Sequence, residues 1–401
     1  MFRLSTSNKL QRRCLLIILV LFTSNSSAYQ LFESFQLHGF ANQGYFISSA
    51  NNVYGKSSRN NGTLGFTEIG INLSAQPLNQ LGFAFQGIYR KAGEVTDETQ
   101  IDFALMDWTL YNSGHTQYGI RVGRVKNPIG FYNETRDIAF TRPSIILPQG
   151  IYYERLRNIF LNTDGAQLYI NQLTNIGGFT FQLNLGEPTD SDRELKTAFL
   201  GFDAPGFLEP QSTYLGKLEY ESTSGATRLA ISYVNLDLNY QPAKQDILSG
   251  GDFSSKLLIL SAQHHIDKFT ITGEYLLQKN TFTNLGSILP DYSPTSESYY
   301  LQGDYNLTDK IQASLRYDIS YLDSDDKKGL LSEIATNKPA HSRYTNSKML
   351  GLRWAPNNNW MLRAEYYRIH GTSSLSYADN PIDFLTTKKW DLFALQLSYR
   401  F

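Results

Sequence analysis

Cysteine is almost missing: Cys14 is the single one in 401 residues. It lies in the first 28 residues, which read as a leader that is removed. The mature chain then has no disulfide framework, no thiol chemistry and no cysteine-based metal site. Long apolar runs are also missing. No stretch reaches the roughly 18–20 residues of a helical membrane span, and heptads and 3.6-residue stripes are absent. There is no P-loop, dinucleotide fingerprint or nucleophile elbow. Nor is there a basic patch interleaved with aromatics of the kind that binds nucleic acid. These absences exclude the common soluble enzyme and nucleic-acid classes, and no cofactor is implied.

The amino-terminal stretch MFRLSTSNKLQRRCLLIILVLFTSNSSAYQ opens with Arg3, Lys9, Arg12 and Arg13. A short apolar run from Cys14 to Phe22 follows, and small residues end at Ser26-Ser27-Ala28. A basic head, a greasy middle and a small-residue cut site are the order of a secretory signal peptide. We expect cleavage after Ala28. The whole chain carries 36 Lys+Arg and 37 Asp+Glu. Four of the basic residues leave with the leader, so residues 29–401 hold 32 against 37, a net charge of −5.

What is present is aromatic and alternating. Tyr numbers 26 and Phe 24. Apolar and polar residues alternate with period two in blocks of about ten, the signature of a transmembrane β-barrel with its apolar face toward lipid. Sixteen blocks stand out: 35–48, 64–75, 81–92, 101–112, 117–127, 162–172, 178–186, 212–222, 227–237, 254–266, 268–280, 297–307, 310–322, 344–355, 359–370 and 390–401. In 310–322 the outward set is Ile311, Ala313, Leu315, Tyr317 and Ile319; Gln312, Ser314, Arg316, Asp318 and Ser320 point inward. The block 254–266, with its LLILSAQHH, is less tidy, and the pattern does not fix its facing.

The connections alternate in length. Seven are short turns rich in Asn, Asp, Gly and Pro, such as QPLNQ (76–80), STSGA (222–226) and PNNN (356–359). Eight are longer. That is the pattern of sixteen antiparallel strands with both termini on one side, short periplasmic turns and long external loops. The sheet must close, because lipid leaves no partner for an open edge. No 40–50-residue repeat speaks for a propeller. The expected fold is therefore all-β, an antiparallel transmembrane barrel of about sixteen strands spanning 29–401.

The chain ends on a strand. Phe401, Tyr399, Leu397, Leu395 and Phe393 form one greasy face, with Arg400, Ser398, Gln396 and Ala394 between them. This strand resembles the terminal strand of bacterial outer-membrane porins. The resemblance implies that Tyr399 and Phe401 serve as a signal for the outer-membrane assembly machinery. It also implies an aqueous channel for small hydrophilic solutes, a lipid and lipopolysaccharide surround, and a homotrimer.

One connection breaks the pattern. In RVGRVKNPIGFYNETRDIAFTRPSIILPQGIYYERLRN (121–158), alternation stops at Asn127-Pro128 and resumes about 35 residues later. A connection this long is functional or disordered. Ile129, Phe131, Tyr132, Ile145, Leu147 and Tyr152 make it too apolar for disorder. The stretch VGRVKNPIGFYN is similar to the GR-x-K-x-P-x-G strand end of phosphate-selective (O/P) porins over about twelve residues. In sixteen-stranded porins the third external loop folds inward, so the resemblance implies that 127–160 narrows the channel. The segment carries Arg121, Arg124, Lys126, Arg136, Arg142, Arg155 and Arg157 against Glu134, Asp137 and Glu154. A basic surplus in a low-dielectric channel favours anions, and these seven are the candidate constriction residues, with Arg136 and Arg142 at mid-loop. Alternatively, the arginines pair with lumen carboxylates such as Glu68, Asp107, Glu219, Asp304, Asp318 or Glu365.

Other features are plainer. His264-His265 beside Asp267 lacks a third metal ligand, and Asp323, Asp325 and Asp326 read as a solvated acidic loop. The function expected is a porin that is not an enzyme. The alternatives are an outer-membrane lipase or protease and an adhesin or structural barrel; among the six histidines no catalytic pairing is recognisable.

Overall fold

The structure is a computed structural model that describes residues 29–32, 34–59, 61–189 and 193–401. The expected leader, 1–28, lies outside them. Alternating sequence dictates strands, and sixteen long ones form a single antiparallel sheet closed on itself. They are β2 (Phe35–Ser48), β3 (Thr63–Leu78), β4 (Leu81–Ala92), β5 (Thr96–Asn112), β6 (Thr116–Lys126), β7 (Asn162–Thr174), β8 (Gly177–Pro188), β10 (Thr213–Ser222), β11 (Thr227–Gln241), β12 (Gly251–Ile266), β13 (Phe269–Thr283), β14 (Thr295–Asn306), β15 (Ile311–Tyr321), β16 (Tyr344–Trp354), β17 (Trp360–Gly371) and β18 (Lys389–Arg400). Two strands are short. β1 (Tyr29–Phe32) pairs with the start of β2. β9 (Phe207–Pro210) pairs with the outer end of β11, on the side where β10 pairs farther down.

Closure joins β18 to β2 in register from Leu392↔Ser48 to Arg400↔Phe40. The last residue completes the ladder. Phe401 N–H donates to Gly39 O at 3.0 Å, and Gly39 N–H donates to Phe401 O at 3.3 Å. Glycine at 39 leaves room for the tip of the Phe401 ring, which a Cβ there would displace.

The outer wall is apolar, as alternation demands: Leu315, Leu350, Leu352, Phe393 and Leu397 are exposed there. Ile319 departs from the expected outward set and is buried, at 7% exposure. β5 begins at Thr96, earlier than alternation places it, because Asp102 bulges out of register between Ile101 and Phe103 and breaks the period. The ambiguous block 254–266 resolves with Phe253, Leu257, Ile259 and Ser261 inward and Leu258 and Leu260 outward.

That inward apolar set is unusual for a barrel wall facing water. It belongs to a cluster inside the barrel, with Val234, Leu236 and Leu238 of β11, Leu276 of β13 and Leu195 and Leu200 of helix α2 (Arg193–Leu200). The β6–β7 connection, which ends in a helical turn, α1 (Arg157–Leu161), contributes Ile129, Phe131, Tyr152 and Phe160 to the same cluster.

Candidate functional site

The β6–β7 connection touches the inner face of strands almost opposite one another in the ring. Arg142 donates to Glu68 of β3 at 3.1 Å, while Phe131 packs under Arg228 of β11, 4.5 Å from guanidinium to ring centre. Only a segment crossing the lumen can reach both walls.

On one side the contact is apolar. Ile129, Tyr132, Ile151, Tyr152, Ile159 and Phe160 are buried against the β10–β14 wall. The Tyr152 hydroxyl is the polar pivot. It accepts from Phe131 N–H at 2.9 Å and donates to Glu274 at 2.6 Å. Gly130 makes this approach possible. Its φ is +56°, and a Cβ would strike both Tyr152 and Glu274.

On the other side the contact is ionic. Glu68 receives Arg90 at 3.3 Å and Arg142 at 3.1 Å, and accepts from Asn42 at 3.1 Å. Glu154 holds Arg136 at 3.3 Å and also pairs closely with Arg90. Asp137 receives Lys126 at 2.5 Å and pairs with Arg157, and Lys126 also reaches Asp102. Farther round, Arg316 of β15 donates to Ser144 Oγ at 2.6 Å and to Ile146 O at 3.0 Å, and Ile145 N–H donates to Glu365 of β17 at 2.8 Å. Burial would raise the Glu154 carboxyl, but Arg90, Arg136 and Arg142 outweigh it and hold the group below its ordinary value. Burial, with the charges of Arg90 and Arg136, pulls the Arg157 guanidinium well below its usual range.

The seven candidate residues therefore separate. Arg136, Arg142 and Arg157 meet in the buried network, at 4–6% exposure. Lys126 joins its edge. Arg121 faces the lumen lower down, bonded to Asp107 at 2.9 Å and to Gln167 at 2.7 Å, its guanidinium 4.6 Å from the Tyr169 ring centre. Arg155 is half-buried on the external side. Arg124 does not belong with them. It shares its side of β6 with exposed Tyr118 and Val122, and it pairs with Asp164 at 2.8 Å on the outer wall. Strand parity sends it outward. The sequence reading missed Arg90, whose signal was its inward parity on β4, and placed Arg316 inward on β15 without assigning it to the site.

Three cavities follow the loop. One of about 840 Å³ lies between the loop and the β2–β7 wall, bordered by Gln36, Gln76, Asn79, Asp107, Arg121 and Glu134. A second, about 80 Å³, lies on the external side against Tyr54, Arg155, Asp318, Tyr367 and Trp390. A third, about 10 Å³, sits within the arginine network. Tyr54, Ile146 and Glu154 border both of the last two.

The histidines lie apart from this site. His264 hydrogen-bonds Thr227 and His265 hydrogen-bonds Thr270 beside a short turn, and His341 bonds Thr372 in a loop. Among the described residues, no group of three His, Cys, Asp or Glu is placed to hold a metal ion. Asp323 caps a short turn by accepting from Asp325 N–H.

No family model and no curated protein matches the chain. Solved structures do. An anion-selective porin from Comamonas acidovorans superposes with a TM-score of 0.57 at 13% identity, covering 92% of this chain and 99% of that one. The outer-membrane channel DcaP of Acinetobacter baumannii gives 0.56 at 13% identity over 94% and 100%. OmpT, an outer-membrane protein of Vibrio cholerae, gives 0.56 at 10% identity over 94% and 100%. The chain thus has the closed sixteen-strand architecture of bacterial outer-membrane barrels. At these identities the likeness speaks for the fold alone.

Proposed function

We propose that the chain is an outer-membrane porin of narrow bore, passing small hydrophilic solutes by diffusion with a modest preference for anions. The observation that carries this reading is the loop crossing the lumen between two cavities, with a charged pinch between them. Arg136, Arg142 and Arg157 sit at the pinch, Arg121 and Lys126 border the periplasmic side, and Arg155 borders the external side. The basic surplus of the loop is largely answered by Glu68, Asp102, Asp107 and Glu154, so the residual field is small. This supports a modest preference rather than a strong one. The reading assigns no catalytic chemistry and needs no cofactor.

The test is purification into a planar bilayer. Stable conductance steps are expected, with a reversal potential in a salt gradient that indicates anion preference. Replacing Arg121 and Arg155 with Gln should move that potential toward cations, and less so in 1 M salt, where the screening length falls to about 3 Å. A barrel that inserts without conducting contradicts the reading.

The remaining parts of the proposal follow the fold. The leader is cut after Ala28 on export, which amino-terminal sequencing of the mature protein checks. Tyr399 and Phe401 mark the chain for barrel assembly. The outer wall meets lipid and lipopolysaccharide, and three barrels associate. Mass measurement in mild detergent distinguishes a trimer from a single barrel.

A further inference from the structure

The arginine network is short of negative charge. Arg90, Arg136, Arg142, Arg157 and Lys126 are five cations. Glu68, Glu154, Asp137 and Asp102 are the four carboxylates they pair with. Arg90, Arg136, Arg142 and Arg157 are at least 94% buried, as are Glu68, Asp137 and Asp102. An uncompensated charge in such a place is costly, because water cannot reach it to screen it.

Two further observations fall at the same place. The roughly 10 Å³ void is bordered by Arg90, Arg136, Arg142 and Arg157, by Glu68 and Glu154, and otherwise by apolar and aromatic side chains such as Phe66 and Ile145. Arg142 Nε and Arg157 Nη1 have no hydrogen-bond partner among the described residues. Unsatisfied buried donors are rare and call for an acceptor. The cluster therefore has a surplus positive charge, two open donors and a space of one small sphere.

We propose that this void is a binding site for a single monatomic anion, a halide such as chloride, which completes the charge balance and pins the loop to the β3–β4 wall. The size argument excludes larger anions. About 10–15 Å³ on this measure accommodates one water, and a halide needs only a small outward shift of flexible guanidinium groups. Phosphate and sulfate, with five heavy atoms each, do not fit. Water satisfies the donors but leaves the charge. The site is independent of conduction: it exists in a closed barrel as well as in an open one.

The probe is bromide, in crystals of the full chain grown with bromide in place of chloride. An anomalous peak inside the four-arginine cluster is the expected result. Density fitted by water alone, with no anomalous signal, overturns the proposal. Arg142→Gln supplies the second arm. It removes one cation and so balances the cluster, while Arg90 and Asn42 still hold Glu68. The expected result is a folded barrel without the bromide peak; a peak of undiminished height overturns the proposal. In solution, amide exchange of 127–161 should slow several-fold in chloride relative to gluconate at equal ionic strength in the wild type, and be equal in the two salts in Arg142→Gln. Equal exchange in the wild type also counts against the site.

Discussion

The loop across the lumen is held by two different kinds of chemistry. Toward β10–β14 it is held mainly by apolar burial, with Tyr152 as a polar pivot and a few further polar contacts, among them Gly130 N–H to Ser232, Tyr153 to Gln278 and Glu134 with Lys217. Toward β3–β6 it is held by a dense ionic network, beside a smaller apolar cluster in which Ile145 and Ile146 meet Phe46, Tyr54 and Phe66. The apolar contacts themselves carry no charge to screen and tolerate only shape-matched residues. The ionic side gives direction and position, and its net worth is small, because each buried pair costs desolvation. The difference implies that the apolar side supplies most of the holding energy. The ionic side sets where the loop stops and what charge the narrow point presents.

Breaking the apolar side should have the largest effect. Phe160→Ala removes a buried ring, and such truncations cost about 3–5 kcal/mol. The expected outcome is a barrel of unchanged far-UV spectrum whose loop becomes susceptible to protease, with larger conductance steps. On the ionic side, Glu68→Gln strips the carboxylate shared by Arg90 and Arg142. Breaking a buried pair costs about 3–5 kcal/mol where no other partner remains; here Glu154 still holds Arg90, so the loss should be smaller than for Phe160→Ala. Its diagnostic readout is selectivity, which should move toward anions. Tyr152→Phe keeps the ring but leaves Tyr132 N–H without its hydroxyl acceptor, for about 1–3 kcal/mol of loop docking, while Phe131 N–H keeps Glu274. Arg124→Ala, on the outer wall, is the smallest: an exposed pair contributes about 0–1 kcal/mol, and the reversal potential should not change.

Acid weakens the ionic side without mutation. Glu154 lies below its ordinary value in the docked loop, so its contribution to docking is complete above the unfolded value, about 4.3. It is lost as pH falls through the folded value. Loop protection should be flat from pH 7 to pH 5 and fall below that range. Phe160→Ala should shift the whole curve downward without changing its shape.

Much of the barrel was legible in the sequence because lipid enforces period two on every strand. Each of the sixteen blocks corresponds to a strand, and the ends differ where a bulge such as Asp102 resets the period. The crossing loop announced itself by interrupted alternation and by apolar content. Its partners were not legible. Whether Arg142 meets Glu68 or Glu365 depends on how a 35-residue segment lies across the ring, which no local pattern encodes. The apolar inner wall was not legible: the 254–266 block was untidy and its facing open, and only the three-dimensional structure shows loop and helix α2 filling the space. Arg124 illustrates the opposite error, where composition suggested a lumen charge and strand parity sent it outward.

The most direct test is single-channel conductance of the wild type beside a variant in which residues 127–161 are replaced by a short flexible linker, both checked for a folded barrel. A lumen crossed by the loop predicts small steps for the wild type and steps several-fold larger for the variant, with the anion preference reduced. Equal conductance in the two would contradict the account.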